Sequence, residues 1–366
     1  MPSALVNGVR LNYVQMASPD LAARDSATCE DLVMVHGLAT NMAFWYFQYA
    51  AQLSMRYRVT LFDMRGHGRS ETTADGYTPR NLARDLQGLL DHLGIRSAHF
   101  LAHSFGGVVA LNLACFDPKR VASLVLADTH ISAARRDDVE STWAHGVKIQ
   151  RLLDESGIAL DTRNPYFGYQ LLTKIAQLQL AGQTVQPALE ELVNPLMAKH
   201  GNRTASQWLA LMDGTAAERE LMGDDGLSLK ALKGLRFPIL AMYADNSQAR
   251  LTGKELLGVW PHAEFRSVRN AGHFFPTTRP AEVMRSCELF WDGEFGRRPK
   301  QRSGESGKRH FRSDRIYRAD DGWYCLTREK THLGPFPGPH EVQESLASYV
   351  ANLGMAVELQ EAVTQP

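Results

Sequence analysis

The sequence contains few cysteines. Its four cysteines among 366 residues, Cys29, Cys115, Cys287 and Cys325, lie far apart, and no pair has the short spacing of a metal site. Structural disulfides belong to oxidising compartments. We therefore expect reduced thiols and a cytoplasmic location, and we predict no metal site.

The sequence also lacks an excess of charge and long apolar runs. The 40 Lys and Arg residues balance the 40 Asp and Glu residues, so the formal net charge is +0, and nothing indicates nucleic acid as a partner. No apolar run is long enough to span a bilayer, and no basic segment with a following apolar run indicates a secretory signal at the N-terminus. The hydrophobic share of 44% and the charged share of 22% are typical of a soluble globular protein.

Short apolar runs alternate with helical patterns in the first part of the chain. Residues 32–35, 57–63, 98–102 and 121–127 each read as a buried strand. A helix is predicted through 44–55, after the first of these strands, and an amphipathic helix over 78–93. Strands that are apolar throughout and alternate with helices indicate a mostly parallel sheet with helices on both faces.

This alternation stops after Asp128 and resumes about 100 residues later. Residues 131–230 carry helical patterns, one of them at 188–200, and no clear strand. This predicts a helical cap inserted into an α/β core formed by residues 1–130 and 231–295. In the second part of that core we expect strands at 238–243 and 263–268 and helices at 251–259 and 280–291.

The C-terminal part differs in composition. Residues 296–312 are rich in Arg, Lys, Gly and Ser, and we predict a solvated basic linker, with a polyanion contact as the alternative. In the remaining 313–366 we expect a hairpin across Asp320-Asp321-Gly322, a rigid turn at 334–339 and a helix at 340–353. Such a small module buries little surface alone, so we expect it to pack on the main domain or to join two copies into a homo-oligomer.

The most informative stretch leads from a predicted strand into a predicted helix through Ser104. Ala102 precedes this serine by two residues, and Gly106 and Gly107 follow it. Small residues at these positions are typical of a nucleophile elbow, Gly-x-Ser-x-Gly, in which the strand and the helix approach closely. Here Ala102 takes the place of the first glycine. The N–H groups at the start of the helix suit a developing oxyanion.

Four motifs together resemble the α/β-hydrolase superfamily, and the resemblance covers about residues 5 to 292. The motifs are His36-Gly37, Asp63-x-Arg65-Gly66-His67-Gly68-x-Ser70, Ala102-His103-Ser104-Phe105-Gly106 and Gly272-His273. The resemblance implies the α/β-hydrolase fold with a cap. The C-terminal module resembles small bacterial domains of unknown role.

The resemblance implies a catalytic triad, two members of which follow from the motifs. Ser104 corresponds to the nucleophile and His273 to the base. The usual acid position after the strand ending at Tyr243 falls on Ser247, so the expected carboxylate is missing. Asp128, at the end of the strand after the elbow helix, is our favoured acid, and Asp245 is the alternative.

The resemblance also implies an oxyanion hole formed by the backbone N–H groups of Leu38 and Phe105. His36 and His67 are interpreted as structural residues that hold the neighbouring loops. No role follows from the sequence for His103.

A serine at the elbow disfavours epoxide hydrolases and haloalkane dehalogenases, which carry aspartate there. The resemblance implies a cofactor-independent serine hydrolase that cleaves a carboxylic ester or thioester with an apolar acyl part through an acyl-enzyme. A C–C bond hydrolase or lactonase with the same triad is an alternative. A receptor-like protein that binds a ligand and turns it over slowly is another.

Overall fold

The structure is a computed structural model. It describes residues 2–22, 29–134, 144–164, 166–193, 202–293, 316–319, 322–326, 331–338 and 341. Two compact units are present, Met1–Ala263 with Val268–Arg285 and Glu264–Ser267 with Ser286–Pro366. The predicted linker at 296–312 and the predicted helix at 340–353, except residue 341, lie outside the described residues. The predicted domain boundaries and the predicted association of copies stay predictions.

In the part of the first unit that the structure describes there are seven strands, in the order β1-β2-β4-β3-β5-β6-β7. The strands β3 to β7 pair in parallel, whereas β2 runs antiparallel to β4 and to β1. Their bounds are β1 (Ser3–Val6), β2 (Val9–Met16), β3 (Asp31–Val35), β4 (Arg58–Phe62), β5 (Ala98–His103), β6 (Val121–Ala127) and β7 (Ile239–Ala244). The predicted mostly parallel sheet is therefore confirmed.

Both faces of this sheet are covered. Successive side chains of a strand point to opposite faces, and every residue of β3 and of β7 is buried.

The described helices, in chain order, are α1 (Pro19–Ala22), α2 (Ala43–Trp45), α3 (Ala51–Leu53), α4 (Pro79–His92), α5 (Phe105–Phe116), α6 (Ala144–Glu155), α7 (Phe167–Leu180), α8 (Pro187–Val193), α9 (Asn202–Gly214), α10 (Ala217–Leu221), α11 (Leu229–Lys233), α12 (Arg250–Val259), α13 (Phe275–Thr278) and α14 (Pro280–Trp291).

The helix expected after β3 is interrupted. A π-helical segment, Tyr46–Ala50, separates α2 from α3. In that segment Phe47 is 78% exposed, whereas Tyr49 is fully buried and donates a hydrogen bond to the carbonyl oxygen of Pro276 at 2.6 Å. Periodicity does not reveal one extra residue per turn, so the sequence predicted a single helix.

The segment between β6 and β7 is helical wherever the structure describes it. It contains α6 to α11, as the pattern over 131–230 predicts, and no strand occurs in its described residues. Trp208 of α9 donates its indole N–H to Thr173 of α7 at 3.0 Å, which ties these two helices together. The predicted helix at 188–200 is described only as far as Val193.

The described residues of the second unit form four strands in the order β8-β11-β10-β9. They are β8 (Glu264–Val268), β9 (Ile316–Ala319), β10 (Gly322–Leu326) and β11 (Thr331–Phe336). The predicted hairpin corresponds to β9 and β10, but the turn expected from Gly334 onward begins inside β11. The register between β10 and β11 shifts between Trp323 and Cys325, and such an irregularity accommodates a proline within a strand.

In the part of the chain that the structure describes, no helix is both long and apolar enough to cross a membrane.

Candidate active site

Ser104 occupies a strained turn between β5 and α5. Its backbone angles are φ +54° and ψ −124°, and its N–H donates to the carbonyl oxygen of Ala127 at 2.9 Å. A Cβ added to Gly106 would lie 2.6 Å from the carbonyl oxygen of Val35, which explains why a glycine is needed there. Ala102 is fully buried. This geometry exposes the Ser104 side chain at the carboxyl end of the parallel strands.

Ser104, His273 and Asp128 form one chain of hydrogen bonds. Ser104 Oγ lies 2.9 Å from His273 Nε2, and His273 Nδ1 lies 2.6 Å from Asp128 Oδ2. A carboxylate only accepts, so Nδ1 carries the proton and Nε2 is left to accept the proton of the serine hydroxyl. The three residues come from β5, from the loop after β8 and from the end of β6, and the fold brings them together.

The Asp128 carboxylate is fully buried and accepts three hydrogen bonds. Its Oδ1 accepts the backbone N–H of Ala244 at 2.9 Å, and its Oδ2 accepts the Ser247 hydroxyl as well as His273. Ser247 Oγ in turn accepts the N–H of Ala249 at 3.2 Å, so the hydroxyl proton of Ser247 remains for Asp128. The residue at the usual acid position is thus a donor to the carboxylate.

Asp245 holds a different contact. Its Oδ1 accepts the backbone N–H of Ala271 at 3.3 Å, two residues before His273 in the chain. Of the two candidate aspartates, Asp128 binds the His273 ring, whereas Asp245 binds the backbone of the loop that contains His273.

His103 contacts the same loop, and sequence reasoning gave this residue no role. It is fully buried, its Nε2 lies 2.9 Å from the carbonyl oxygen of His273, and its ring stacks on Phe44 with centroids 4.7 Å apart. Because a carbonyl oxygen only accepts, Nε2 carries the proton. Burial and the neighbouring His273 hold the pKa of His103 well below its usual value, so the ring stays neutral. Its place directly before Ser104 was the available signal.

His36 and His67 hold loop backbones. His36 Nε2 accepts the N–H of Met64 at 3.0 Å and thereby ties the loop after β3 to the loop after β4. His67 Nδ1 donates to the carbonyl oxygen of Arg65 at 3.0 Å. Burial, more than the neighbouring His36, lowers the pKa of His67 to about 4.

Two backbone amides are available near Ser104. Phe105 begins α5, and the first N–H groups of a helix have no partner inside it. Leu38 lines the same cavity as Ser104 and follows Gly37, where an added Cβ would lie 3.2 Å from Ser104 Cβ. Both residues of the predicted oxyanion hole therefore lie beside the serine.

A cavity of about 180 Å³ contains Ser104 and His273. It lies between loops of the sheet and helices of the inserted segment. Its lining residues are Gly37, Leu38, His103, Ser104, His130, Ile149, Phe167, Gly168, Tyr169, Leu171, Leu172, Leu192, Asn246, Ser247, Gln248, Ala249, Gly272, His273 and Phe274. Among the residues described, no group of three or more His, Cys, Asp or Glu side chains could hold a metal ion.

Two family models match separate parts of the chain. Residues 32–155 match the alpha/beta hydrolase fold family, and residues 301–355 match a domain of unknown function called DUF6316. The first match covers β3 to α6 with the elbow, and the second covers the C-terminal module.

Several of the similar curated proteins are hydrolases, and others are acetyltransferase components of an acetoin cleaving system. The 3-oxoadipate enol-lactonase 1 of Acinetobacter baylyi is 38% identical over 125 residues, which are 34% of this chain and 45% of the relative. The bifunctional epoxide hydrolase 2 of Sus scrofa is 26% identical over 321 residues, 78% of this chain and 55% of the relative. This chain spans about half the length of these two curated relatives.

A solved structure has the same fold. The enol-lactonase from Burkholderia xenovorans LB400 superposes with a TM-score of 0.56 at 23% identity, over 80% of this chain and 100% of that one. The likeness shows the fold.

Proposed function

We propose that this chain, an α/β hydrolase by fold, is a serine hydrolase that cleaves a carboxylic ester or thioester with an apolar acyl part. The observation that carries the proposal is the chain of hydrogen bonds from Ser104 through His273 to Asp128. A buried carboxylate fixes the tautomer and orientation of the histidine, and a histidine so held accepts the proton of the serine.

The reaction has two halves. Ser104 Oγ bonds to the acyl carbon while its proton passes to His273 Nε2, and the N–H groups of Leu38 and Phe105 stabilise the oxyanion. The C–O or C–S bond to the leaving group then breaks, and His273 gives its proton to the departing atom. Water, deprotonated by His273, releases the acid and restores Ser104.

Serine at the elbow separates this chain from relatives of similar sequence that open epoxides. The resemblance places an aspartate at that position in epoxide hydrolases, and this chain has Ser104. A serine nucleophile forms an acyl-enzyme with an ester. The apolar residues that line the cavity suit an apolar acyl part of that ester. Three elements of the insertion supply Ile149, Leu171 and Leu192 to that lining.

A lactonase is the second candidate, because an enol-lactonase is 38% identical over 125 residues. A lactone is a cyclic ester, so the same residues would act in the same order. A C–C bond hydrolase and a slow-turnover binding protein are the remaining alternatives with this triad.

Labelling with a fluorophosphonate tests the nucleophile. We expect the wild type and Ser97→Ala, a change of an exposed serine, to be labelled, and Ser104→Ala to remain unlabelled. A panel of p-nitrophenyl esters, thioesters, lactones and vinylogous diketones then separates the reaction classes. A wild-type protein that is never labelled contradicts the proposal. Turnover of the diketones alone favours the C–C bond hydrolase, and labelling without multiple turnover of any substrate in the panel favours the binding protein.

A further inference from the structure

The cavity that contains Ser104 has two chemically different sets of lining residues. Helices α6, α7 and α8 contribute the apolar wall, which comprises Ile149, Phe167, Leu171, Leu172 and Leu192, and α7 adds Tyr169, which carries a phenol hydroxyl. The loops after β6 and β7 contribute the polar wall, which comprises His130, Asn246, Ser247 and Gln248. A ligand that fills the cavity therefore contacts mainly apolar carbon atoms on the apolar wall and hydrogen-bonding groups on the polar wall.

The side-chain amide of Asn246 can form hydrogen bonds to a ligand in the cavity. Its side-chain amide has no hydrogen bond to any residue that the structure describes, although it is half-buried and lines the cavity. Gln248 uses Nε2 to donate to the carbonyl oxygen of Thr162 at 3.2 Å, so its Oε1 is still available as an acceptor. Together they offer donors and an acceptor to a neutral polar group.

The polar wall is linked to the histidine that must release the leaving group. The N–H of Asn246 donates to the carbonyl oxygen of Ala271 at 3.1 Å, two residues before His273, and the Ser247 hydroxyl binds Asp128. His273 delivers its proton to the departing oxygen, so the leaving group lies on the His273 side of the cavity. These hydrogen bonds connect Asn246 and Ser247 of the polar wall to the loop and the carboxylate that hold His273.

The described residues that line the cavity offer no counter-ion. Of the described residues that line it, none is Asp, Glu, Lys or Arg. A carboxylate, phosphate or ammonium group buried there would lose its hydration without gaining an ion-pair partner from these residues, which is unfavourable. This composition favours a substrate without charge.

We propose that the substrate is a neutral ester with an apolar acyl chain on the apolar wall and a leaving alcohol whose hydroxyl or amide groups bind Asn246 and Gln248. The inference rests on the proposed function. The bond between acyl carbon and alcohol oxygen breaks, Ser104 takes the acyl group, and the Ser104 proton reaches the alcohol through His273.

A pair of esters of equal size tests the leaving-group side. In 2,3-dihydroxypropyl hexanoate and 2-methylbutyl hexanoate two hydroxyl groups of one alcohol are replaced by two methyl groups of the other. We expect the wild type to have a kcat/KM about tenfold higher on the dihydroxypropyl ester, the worth of one to two hydrogen bonds. Asn246→Leu, of similar size, should bring that ratio to one or below, and Gln248→Met should lower it less.

Matched control variants distinguish the loss of the Asn246 or Gln248 amide from a general effect of replacing a polar residue by an apolar one. Asn81→Leu on α4 and Gln177→Met on α7 make the same replacements at residues that do not line the cavity, and both should keep the wild-type ratio. Hexanoylcholine and hexanoylglycolate, one cationic and one anionic, should react at least about tenfold more slowly than the neutral diol ester. The ratio of two substrates is independent of the folded fraction of a variant.

The outcomes distinguish this inference from the proposed function. If Ser104 is labelled and p-nitrophenyl hexanoate is hydrolysed, but the wild-type ratio is one or Asn246→Leu leaves it unchanged, the leaving-group assignment is wrong. Preference for a charged ester would also overturn it. If no ester, thioester or lactone is hydrolysed, the proposed function itself fails.

Discussion

The hydroxyl of Ser247 donates a hydrogen bond to Asp128 Oδ2, the carboxylate oxygen that also accepts the Nδ1 proton of His273. Ser247 stands where the family resemblance leads one to expect the acid, and Asp128 stands at the end of the neighbouring strand. Strands β6 and β7 pair in parallel, with Ala127 opposite Met242. Their carboxyl ends therefore lie side by side, and side chains at positions 128 and 247 can both lie close to His273.

Asp128→Asn should lower kcat by roughly a thousandfold or more, because an amide at this position does not hold His273 in the tautomer that accepts the Ser104 proton. Asp245→Asn should lower kcat by less than about tenfold, since the Asp245 side chain accepts the N–H of Ala271 whereas the His273 ring is bonded to Asp128. Steady-state kinetics on the ester identified for the wild type measures both. Equal losses in the two variants would contradict the assignment of the acid.

Ser247→Ala should lower kcat by about tenfold with little change in KM, because the carboxylate loses one of its charge-assisted hydrogen bonds and the orientation this bond gives. The acid limb of the pH profile of kcat/KM should also move, whereas a purely structural role would leave it in place. Ser247→Thr keeps the hydroxyl and should restore both quantities. A Thr variant as impaired as the Ala variant would contradict the role of the hydroxyl.

The double variant Asp128→Asn with Ser247→Asp should regain at least about tenfold over Asp128→Asn alone, because the new carboxylate can approach the same face of His273. Asparagine is chosen since residue 128 has φ +53°, which Asn tolerates better than most residues. Activity of the double variant no higher than that of Asp128→Asn would show that only the end of β6 can supply the acid.

His103→Phe should lower kcat, by about tenfold, more than it raises KM. Phenylalanine keeps the stacking on Phe44 but cannot donate to the carbonyl oxygen of His273, and an unpartnered buried carbonyl costs about 1–3 kcal/mol. His103→Gln can place a donor near the position of Nε2 and should recover most of kcat. Similar losses in both variants would indicate that packing, and not the hydrogen bond, is what matters.

His67 should make the protein less stable in mild acid. Burial lowers its pKa from 6.5 to about 4, so between pH 6.5 and 4 the unfolded chain binds a proton that the folded chain does not. The free energy of unfolding therefore falls as the pH falls through this window, by up to about 3 kcal/mol from this residue.

His67→Asn removes the titration and keeps a donor for the carbonyl oxygen of Arg65. Urea unfolding at pH 6.5 and 4.5 should show a smaller loss of stability in this variant than in the wild type. The exposed His262→Asn serves as the control and should keep the wild-type loss. An unchanged pH dependence in His67→Asn would contradict the effect of burial.

Local sequence patterns predicted much of the fold. Mostly apolar runs predicted β3 to β7, because strands covered on both faces have few positions that favour polar residues. The helical spacing of 131–230 likewise predicted an insertion without strands. The π-helical turn at Tyr46–Ala50 was missed, because one extra residue in a helical turn leaves no periodic signal. The strand through Pro335 was missed, because its pairing with β10 is a contact between backbones that the side-chain pattern does not reveal.

By itself the sequence determined the elbow: the small residues Ala102, Gly106 and Gly107 around Ser104 are dictated by the close approach of β5, α5 and their neighbours. Only the tertiary structure decided the rest of the site. Whether Asp128 or Asp245 reaches His273, that Ser247 donates to the acid, and that His103 holds the histidine loop all depend on which strand ends lie side by side. Those distances join residues more than a hundred positions apart, and no local pattern encodes them.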